Sequence, residues 1–132
     1  MLLDFGVKGL IFKDGKFLAV HKVTFQDKRL ELPGGRVEYG ESIEETLIRE
    51  VNEELGLEFA PVKLIDTWNY MNDTKDHQVA GLIYLCKVID EEKAIQLSDE
   101  HDYYEWVSIS EVSRMNETFY PVMKNWKWTE LY

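Results

Sequence analysis

The stretch GRVEYGESIEETLIREVNEELGL, residues 35–57, joins a glycine turn to a helical pattern and decides the fold. Ser42 and Glu45 have the spacing of a capping box, which marks the start of a helix. Gly56 fits the left-handed position that follows a last helical turn. Apolar residues recur at the period of one helical face and predict a core-facing stripe, formed by Ile43, Leu47, Val51 and Leu55.

Three glutamates of this helix lie outside the predicted stripe. Glu50, Glu53 and Glu54 are three and four residues apart and therefore project from neighbouring positions. Like charges at this spacing destabilise an isolated helix by about 0.2–0.5 kcal/mol per pair. A cation between them would remove that penalty, and oxygen ligands suit hard ions such as Mg²⁺. The pattern indicates one face for packing and another for a chemical role.

The segments around the helix predict a sheet. Residues 7–12 and 16–23 are rich in β-branched and apolar residues, and Asp14-Gly15 between them is a hairpin signal. The second run is apolar on both faces, with Phe17, Ala19 and Val23 on one and Leu18 and Val20 on the other. Such a strand is expected in a sheet covered on both sides. Further strands are predicted over residues 30–33, 62–71, 78–88, 95–97 and 103–108. A short helix capped by Ser110 and a last helix over residues 120–128 are also predicted. We interpret residues 1–132 as one mixed α/β domain.

Composition excludes several classes of protein. The formal net charge of −10 argues against a general nucleic-acid or anionic-membrane binder, because both need a positive surface. Binding of a phosphorylated small molecule remains compatible with this negative charge if metal ions supply the positive charge. Cys86 is the single cysteine, so no internal disulfide is possible. No leader or membrane-spanning pattern is visible, which favours a cytoplasmic protein.

The glycine–glutamate stretch resembles the Nudix box, the signature of hydrolases that act on a nucleoside diphosphate linked to another group. It meets each position of the pattern G-x5-E-x7-R-E-U-x-E-E-x-G-U, where U is aliphatic, with Gly35, Glu41, Arg49, Glu50, Val51, Glu53, Glu54, Gly56 and Leu57. The resemblance implies a Nudix α/β/α sandwich, a mixed sheet between helices that carries the box as a loop-helix-loop.

The resemblance also implies a division of roles. Glu50, Glu53 and Glu54 would bind Mg²⁺, with Mn²⁺ as a possible substitute and a carbonyl of Gly34 or Gly35 as a further ligand. Arg49 would hold the carboxylates in place, partly by pairing with Glu41, and its spacing also allows pairs with Glu45 and Glu53. The general base is open between Glu50 in the box and Glu100 in the acidic loop of residues 99–102. His21, His77 and His101 do not form a ligand set by their spacing.

Aromatic residues are the candidates for substrate binding. Trp68 and Tyr70 share a face of a predicted strand and are able to stack on a base, although core packing is the commoner role. Phe25 and Phe119 are further candidates.

The function that these patterns imply is Mg²⁺-dependent hydrolysis of a phosphoanhydride bond by water attack on phosphorus. The substrate would be a nucleoside diphosphate derivative or a nucleoside triphosphate. We expect a nucleotide-type small molecule as the partner, no nucleic acid or membrane, and a monomer or homodimer. The alternative is a non-catalytic Nudix domain that binds a nucleotide-like effector; such domains typically lose box carboxylates, and all are present here.

Overall fold

A mixed six-stranded sheet forms the centre of the protein. The computed structural model describes residues 1–90 and 92–131. The strands are β1 (Leu2–Lys13), β2 (Lys16–Lys22), β3 (Gly34–Arg36), β4 (Phe59–Met71), β5 (His77–Val88) and β6 (His101–Ser108). Their order is β4-β5-β1-β2-β6, and β3 pairs with β1. Strands β1 and β5 run parallel, and the other pairs are antiparallel.

The predicted hairpin between β1 and β2 is confirmed. Asp14 and Gly15 both have positive φ, 53° and 75°, as a two-residue type I′ turn requires. The two strands pair only next to this turn, at Phe12↔Phe17 and Lys13↔Lys16. Beyond it β3 occupies the same edge of β1, pairing through Lys8↔Gly34. The change of neighbour from β2 to β3 along β1 brings Gly34 and Gly35, which we call the glycine loop, to the middle of the sheet.

Both faces of the sheet are covered, as predicted from the two-sided β2 strand. One face packs on helix α1 (Ile43–Leu55), whose Leu47, Val51 and Leu55 are fully buried. The helix begins with the predicted capping box at Ser42 and ends at Gly56, which has φ 67°. The fold is therefore the predicted mixed α/β arrangement, with this helix in position behind the glycine loop.

The opposite face is covered by the C-terminal part of the chain. This part contains a 3-10 segment at Ile109–Arg114, helix α2 (Tyr120–Met123) and a second 3-10 segment at Trp128–Glu130. The predicted helix over residues 120–128 is thus wrong beyond Met123. Trp126 and Trp128 both belong to the core on this face, and residues two apart on an α-helix cannot face the same way. The chain leaves the helix after Met123, so that Nε1 of Trp126 donates to Asp66 of β4 and the ring of Trp128 stacks on Phe17 of β2.

Other predicted boundaries also differ. Leu30 and Glu31 form only isolated bridges, to Met115 and Val20, and the regular strand begins after Pro33. Residues 95–97 form no strand, because the N–H of Gln96 donates instead to the carbonyl of Leu55 at the end of α1. The N-cap position of the 3-10 segment after β6 is Ser108 rather than Ser110, and the Ser108 side chain makes no capping hydrogen bond there. Val23 lies beyond β2 and is exposed.

Candidate active site

Two glycines allow the end of β3 to lie against the box helix. Gly34 has φ 142°, and a Cβ there would overlap the carbonyl oxygen of Val7. A Cβ on Gly35 would overlap the carboxyl group of Glu50. The N–H of Gly34 donates to Oε2 of Glu54 at 3.1 Å. Only glycine permits so close an approach of backbone and carboxylates.

Arg49 holds the carboxylates at the outer part of the site. Its Nε and Nη2 donate to the two oxygens of Glu41 at 2.7 and 2.9 Å, a bidentate pair. Its Nη1 donates to Glu50 at 2.9 Å and to Glu53 at 3.4 Å. The hydrogen bonds from Arg49 lower the pKa of Glu41 to about 2. The expected contact with Glu45 is not found among the described residues, because Glu45 accepts from the N–H of Ser42 in the capping box.

The three box glutamates have different surroundings, although they lie close together on the helix. Glu53 is 60% exposed at its side chain. Glu50 is half-buried, and burial raises its pKa. Glu54 is 3% exposed, and burial raises its pKa to about 7. A buried carboxyl group with a raised pKa, close to a second carboxylate, is an arrangement that a bound divalent cation would stabilise.

The acidic loop before β6 reaches the same place. A carboxylate oxygen of Glu54, one of Glu100 and a ring nitrogen of His101 all lie within 4.8 Å of one another. Backbone hydrogen bonds hold the loop here, from Ser98 N to the carbonyl of Glu54 and from Val23 N to the carbonyl of Glu100, both at 3.0 Å. The structure therefore brings Glu100 to the box. It also brings His101 to the box, although the spacing of the histidines did not indicate a ligand set. The sequence signal for His101 was its position next to Glu100, at the start of β6.

A cavity of roughly 250 Å³ opens beside the glycine loop, with Gly34 and Gly35 in its wall. All four aromatic candidates line it. Phe25 and Tyr70 are partly exposed, at 38% and 37%, whereas Trp68 and Phe119 are buried and their rings lie 5.6 Å apart. Trp68 and Phe119 thus belong to the core and to the cavity wall at once.

The cavity also contains a buried ion pair that was not predicted. Lys8 and Glu31 are 6% and 5% exposed, and Nζ of Lys8 lies 3.7 Å from Oε1 of Glu31. The same Nζ lies 5.8 Å from the ring centroids of both Trp68 and Phe119. Burial opposes ionisation of Glu31, but the neighbouring Lys8 and His101 lower its pKa to about 2. Charged residues inside the apolar runs of residues 7–12 and 30–33 were the sequence signal for this pair.

Comparison with known proteins agrees with this fold. A family model described as the NUDIX domain matches residues 3–127, and the chain belongs to that family. The chain is 28% identical over 123 residues to an ADP-ribose pyrophosphatase of Methanocaldococcus jannaschii, covering 92% of this chain and 73% of that protein. It is 33% identical over 87 residues to the asymmetrical bis(5'-nucleosyl)-tetraphosphatase of Mus musculus, covering 63% of this chain and 58% of the mouse protein. The solved structure of a MutT protein from Methanosarcina mazei Go1 matches with a TM-score of 0.80 at 25% identity, covering 97% and 94% of the two chains.

These relatives confirm the predicted Nudix family and fold, and they support the prediction of a Nudix pyrophosphohydrolase. The chain spans less than two thirds of the mouse protein's length. In the part of the chain that the structure describes, no helix has the length and apolar character to cross a membrane.

Proposed function

We propose that the chain is a Mg²⁺-dependent pyrophosphohydrolase. It hydrolyses a phosphoanhydride bond in a nucleoside diphosphate derivative or a nucleoside triphosphate, by attack of water on phosphorus. The observation that carries the proposal is the grouping of Glu50, Glu54 and Glu100 beside a glycine loop that also lines an aromatic cavity. A polyphosphate held at the loop would have its nucleoside within reach of the cavity.

The residues at the site fit a hard divalent ion. Glu50, Glu53 and Glu54 offer carboxylate oxygens, a carbonyl of Gly34 or Gly35 offers a further oxygen, and Mg²⁺ prefers such donors. When bound, the ion neutralises phosphate oxygens and lowers the pKa of a bound water. Arg49 keeps Glu41 and Glu50 in one arrangement, so that the ligands are positioned before the ion arrives. Mn²⁺ is a possible substitute because it accepts the same oxygen donors.

Glu100 is the general base that we favour over Glu50. Glu50 is fixed by its hydrogen bond from Arg49 and lies against Gly35, as a ligand would. Glu100 is exposed and comes from a loop, and its carboxylate approaches the site from outside the helix. A base in this position would accept the proton of a water that attacks phosphorus. Under this assignment Glu100→Gln lowers kcat and leaves metal affinity within about threefold, whereas Glu50→Gln lowers metal affinity.

The aromatic cavity is the proposed nucleoside site. Phe25 and Tyr70 are exposed enough to stack on a base, and Trp68 with Phe119 forms the inner wall. The substrates named for the archaeal and mouse relatives, ADP-ribose and a dinucleoside tetraphosphate, both join a nucleoside to a chain of phosphates. A single Nudix domain over residues 1–132, a cytoplasmic location, a monomer or homodimer, and the absence of a nucleic-acid or membrane partner stay predictions.

The test is a product-release screen with Mg²⁺ over nucleoside triphosphates, nucleotide sugars, ADP-ribose and dinucleoside polyphosphates. Glu54→Gln serves as the blank, and Glu44→Gln, an exposed glutamate of the same helix, is the matched control. We expect release of a nucleoside monophosphate together with a phosphorylated product or pyrophosphate. Removal of divalent ions should abolish it, and Mg²⁺ or Mn²⁺ should restore it. Hydrolysis that survives chelation would refute the proposal, and binding without turnover of any compound would favour the non-catalytic alternative.

A further inference from the structure

His101 is a buried histidine without hydrogen-bond partners. It is 4% exposed, and neither Nδ1 nor Nε2 has a partner among the described residues. More than about 90% of buried polar groups in proteins are hydrogen-bonded, because an unpaired one costs about 1–3 kcal/mol. Nε2 lies 4.0 Å from a carboxylate oxygen of Glu31, longer than a hydrogen bond, so the buried imidazole has at least one nitrogen available to a ligand.

The carboxylates around His101 indicate what that ligand is. One ring nitrogen lies within 4.8 Å of ligand oxygens of Glu54 and Glu100. Glu31, which is also buried, places Oε1 4.0 Å from Nε2 of the same ring and 3.7 Å from Nζ of Lys8. Two carboxylates close to one ring nitrogen, with a further carboxylate 4.0 Å from Nε2, match the usual surroundings of a metal-binding histidine.

We propose that His101 is an imidazole ligand of the divalent ion held by Glu54, beside the Glu100 general base, and that Glu31 orients the ring. This inference rests on the proposed function, since it concerns the same ion. It changes the chemistry of the site from oxygen donors alone to oxygen and nitrogen. Imidazole binds first-row transition metals well, whereas Mg²⁺ strongly prefers oxygen. The site should therefore bind Mn²⁺ and Co²⁺ more tightly than Mg²⁺.

The decisive measurement is pulsed electron paramagnetic resonance of Mn²⁺ bound to the wild-type protein. We expect a ¹⁴N coupling typical of a directly bound imidazole. The coupling should be absent from His101→Gln and should remain in His21→Gln. His21 is the matched control because both of its ring nitrogens are engaged, by Asp102 at 2.7 Å and by the carbonyl of Asp27 at 2.6 Å.

Titration calorimetry gives an independent readout. His101→Gln should weaken Co²⁺ binding about tenfold or more and leave Mg²⁺ binding within about threefold, because Co²⁺ gains more than Mg²⁺ from a nitrogen donor. Equal weakening for both ions would overturn the inference.

The outcomes separate this inference from the proposed function. Bound Mn²⁺ without a nitrogen coupling refutes the role of His101 and leaves the carboxylate site standing. Failure of the wild-type protein to bind Mn²⁺, or unchanged binding by Glu54→Gln, refutes both. If His101→Gln does not fold, the spectrum of the wild-type protein decides alone.

Discussion

The buried carboxyl group of Glu54 should make the metal-free protein less stable than its Glu54→Gln variant at alkaline pH. Glu54 is 3% exposed, and burial raises its pKa from the ordinary 4.5 to about 7. The unfolded chain ionises this group freely, whereas the folded chain must bury the charge. Glutamine has nearly the same shape, is neutral, and can still accept the hydrogen bond from the N–H of Gly34.

The magnitude and its pH window follow from the shift. A raised pKa means that the folded state binds the proton more tightly, so stability is lost as the pH rises from 4.5 through 7. The shift of about 2.5 units corresponds to at most about 3.4 kcal/mol at about 1.36 kcal/mol per unit. Between pH 5 and pH 8 the free energy of unfolding of the wild-type protein should fall by about 2.5 kcal/mol relative to the variant.

The assay is urea unfolding followed by tryptophan fluorescence, at pH 5 and pH 8 in the presence of a chelator. Glu44→Gln is the control, because Glu44 is an exposed glutamate of the same helix and is not among the proposed metal ligands. Addition of Mg²⁺ or Mn²⁺ should then stabilise the wild-type protein and not Glu54→Gln. The same variant should lose about a thousandfold in turnover, roughly 4 kcal/mol of barrier. A variant less stable than the wild-type protein at pH 8, or a difference that does not grow with pH, would refute the reasoning.

Three further substitutions test other parts of the site. Gly35→Ala places a methyl group where the Glu50 carboxyl lies, so kcat should fall about a hundredfold, and an unchanged kcat would contradict the close approach. Arg49→Lys removes the bidentate pair with Glu41 and should weaken metal binding about 10–100-fold by calorimetry; retained affinity would mean that the guanidinium does not position the ligands. Phe25→Leu should raise KM for the best nucleotide substrate about tenfold with kcat within about threefold, since one stacked base contributes about 1–3 kcal/mol; a fall in kcat alone would place Phe25 outside the nucleoside site.

Where the sequence prediction failed, long-range packing had overruled local preference. Residues 120–128 were predicted as one helix, but α2 ends at Met123, because Trp126 and Trp128 both pack on the same face of the sheet. Residues 95–97 were predicted as a strand, but the N–H of Gln96 donates to the carbonyl of Leu55 at the end of α1. Both outcomes depend on partners far away in the chain, which local patterns do not contain.

The box helix and its caps were determined by the sequence alone, because residues three and four apart meet through local geometry. Hairpin formation at Asp14-Gly15 was equally local. The pairing of Arg49 with Glu41, eight residues apart, was expected from the resemblance to the Nudix box and is present in the structure. Only the tertiary structure decided which distant residues join the site. The register of β6 and the loop before it set Glu100 and His101 against Glu54, and the exchange of β2 for β3 along β1 buried Lys8 beside Glu31. Strand pairing across the sheet fixes these contacts, so no spacing within the box predicts them.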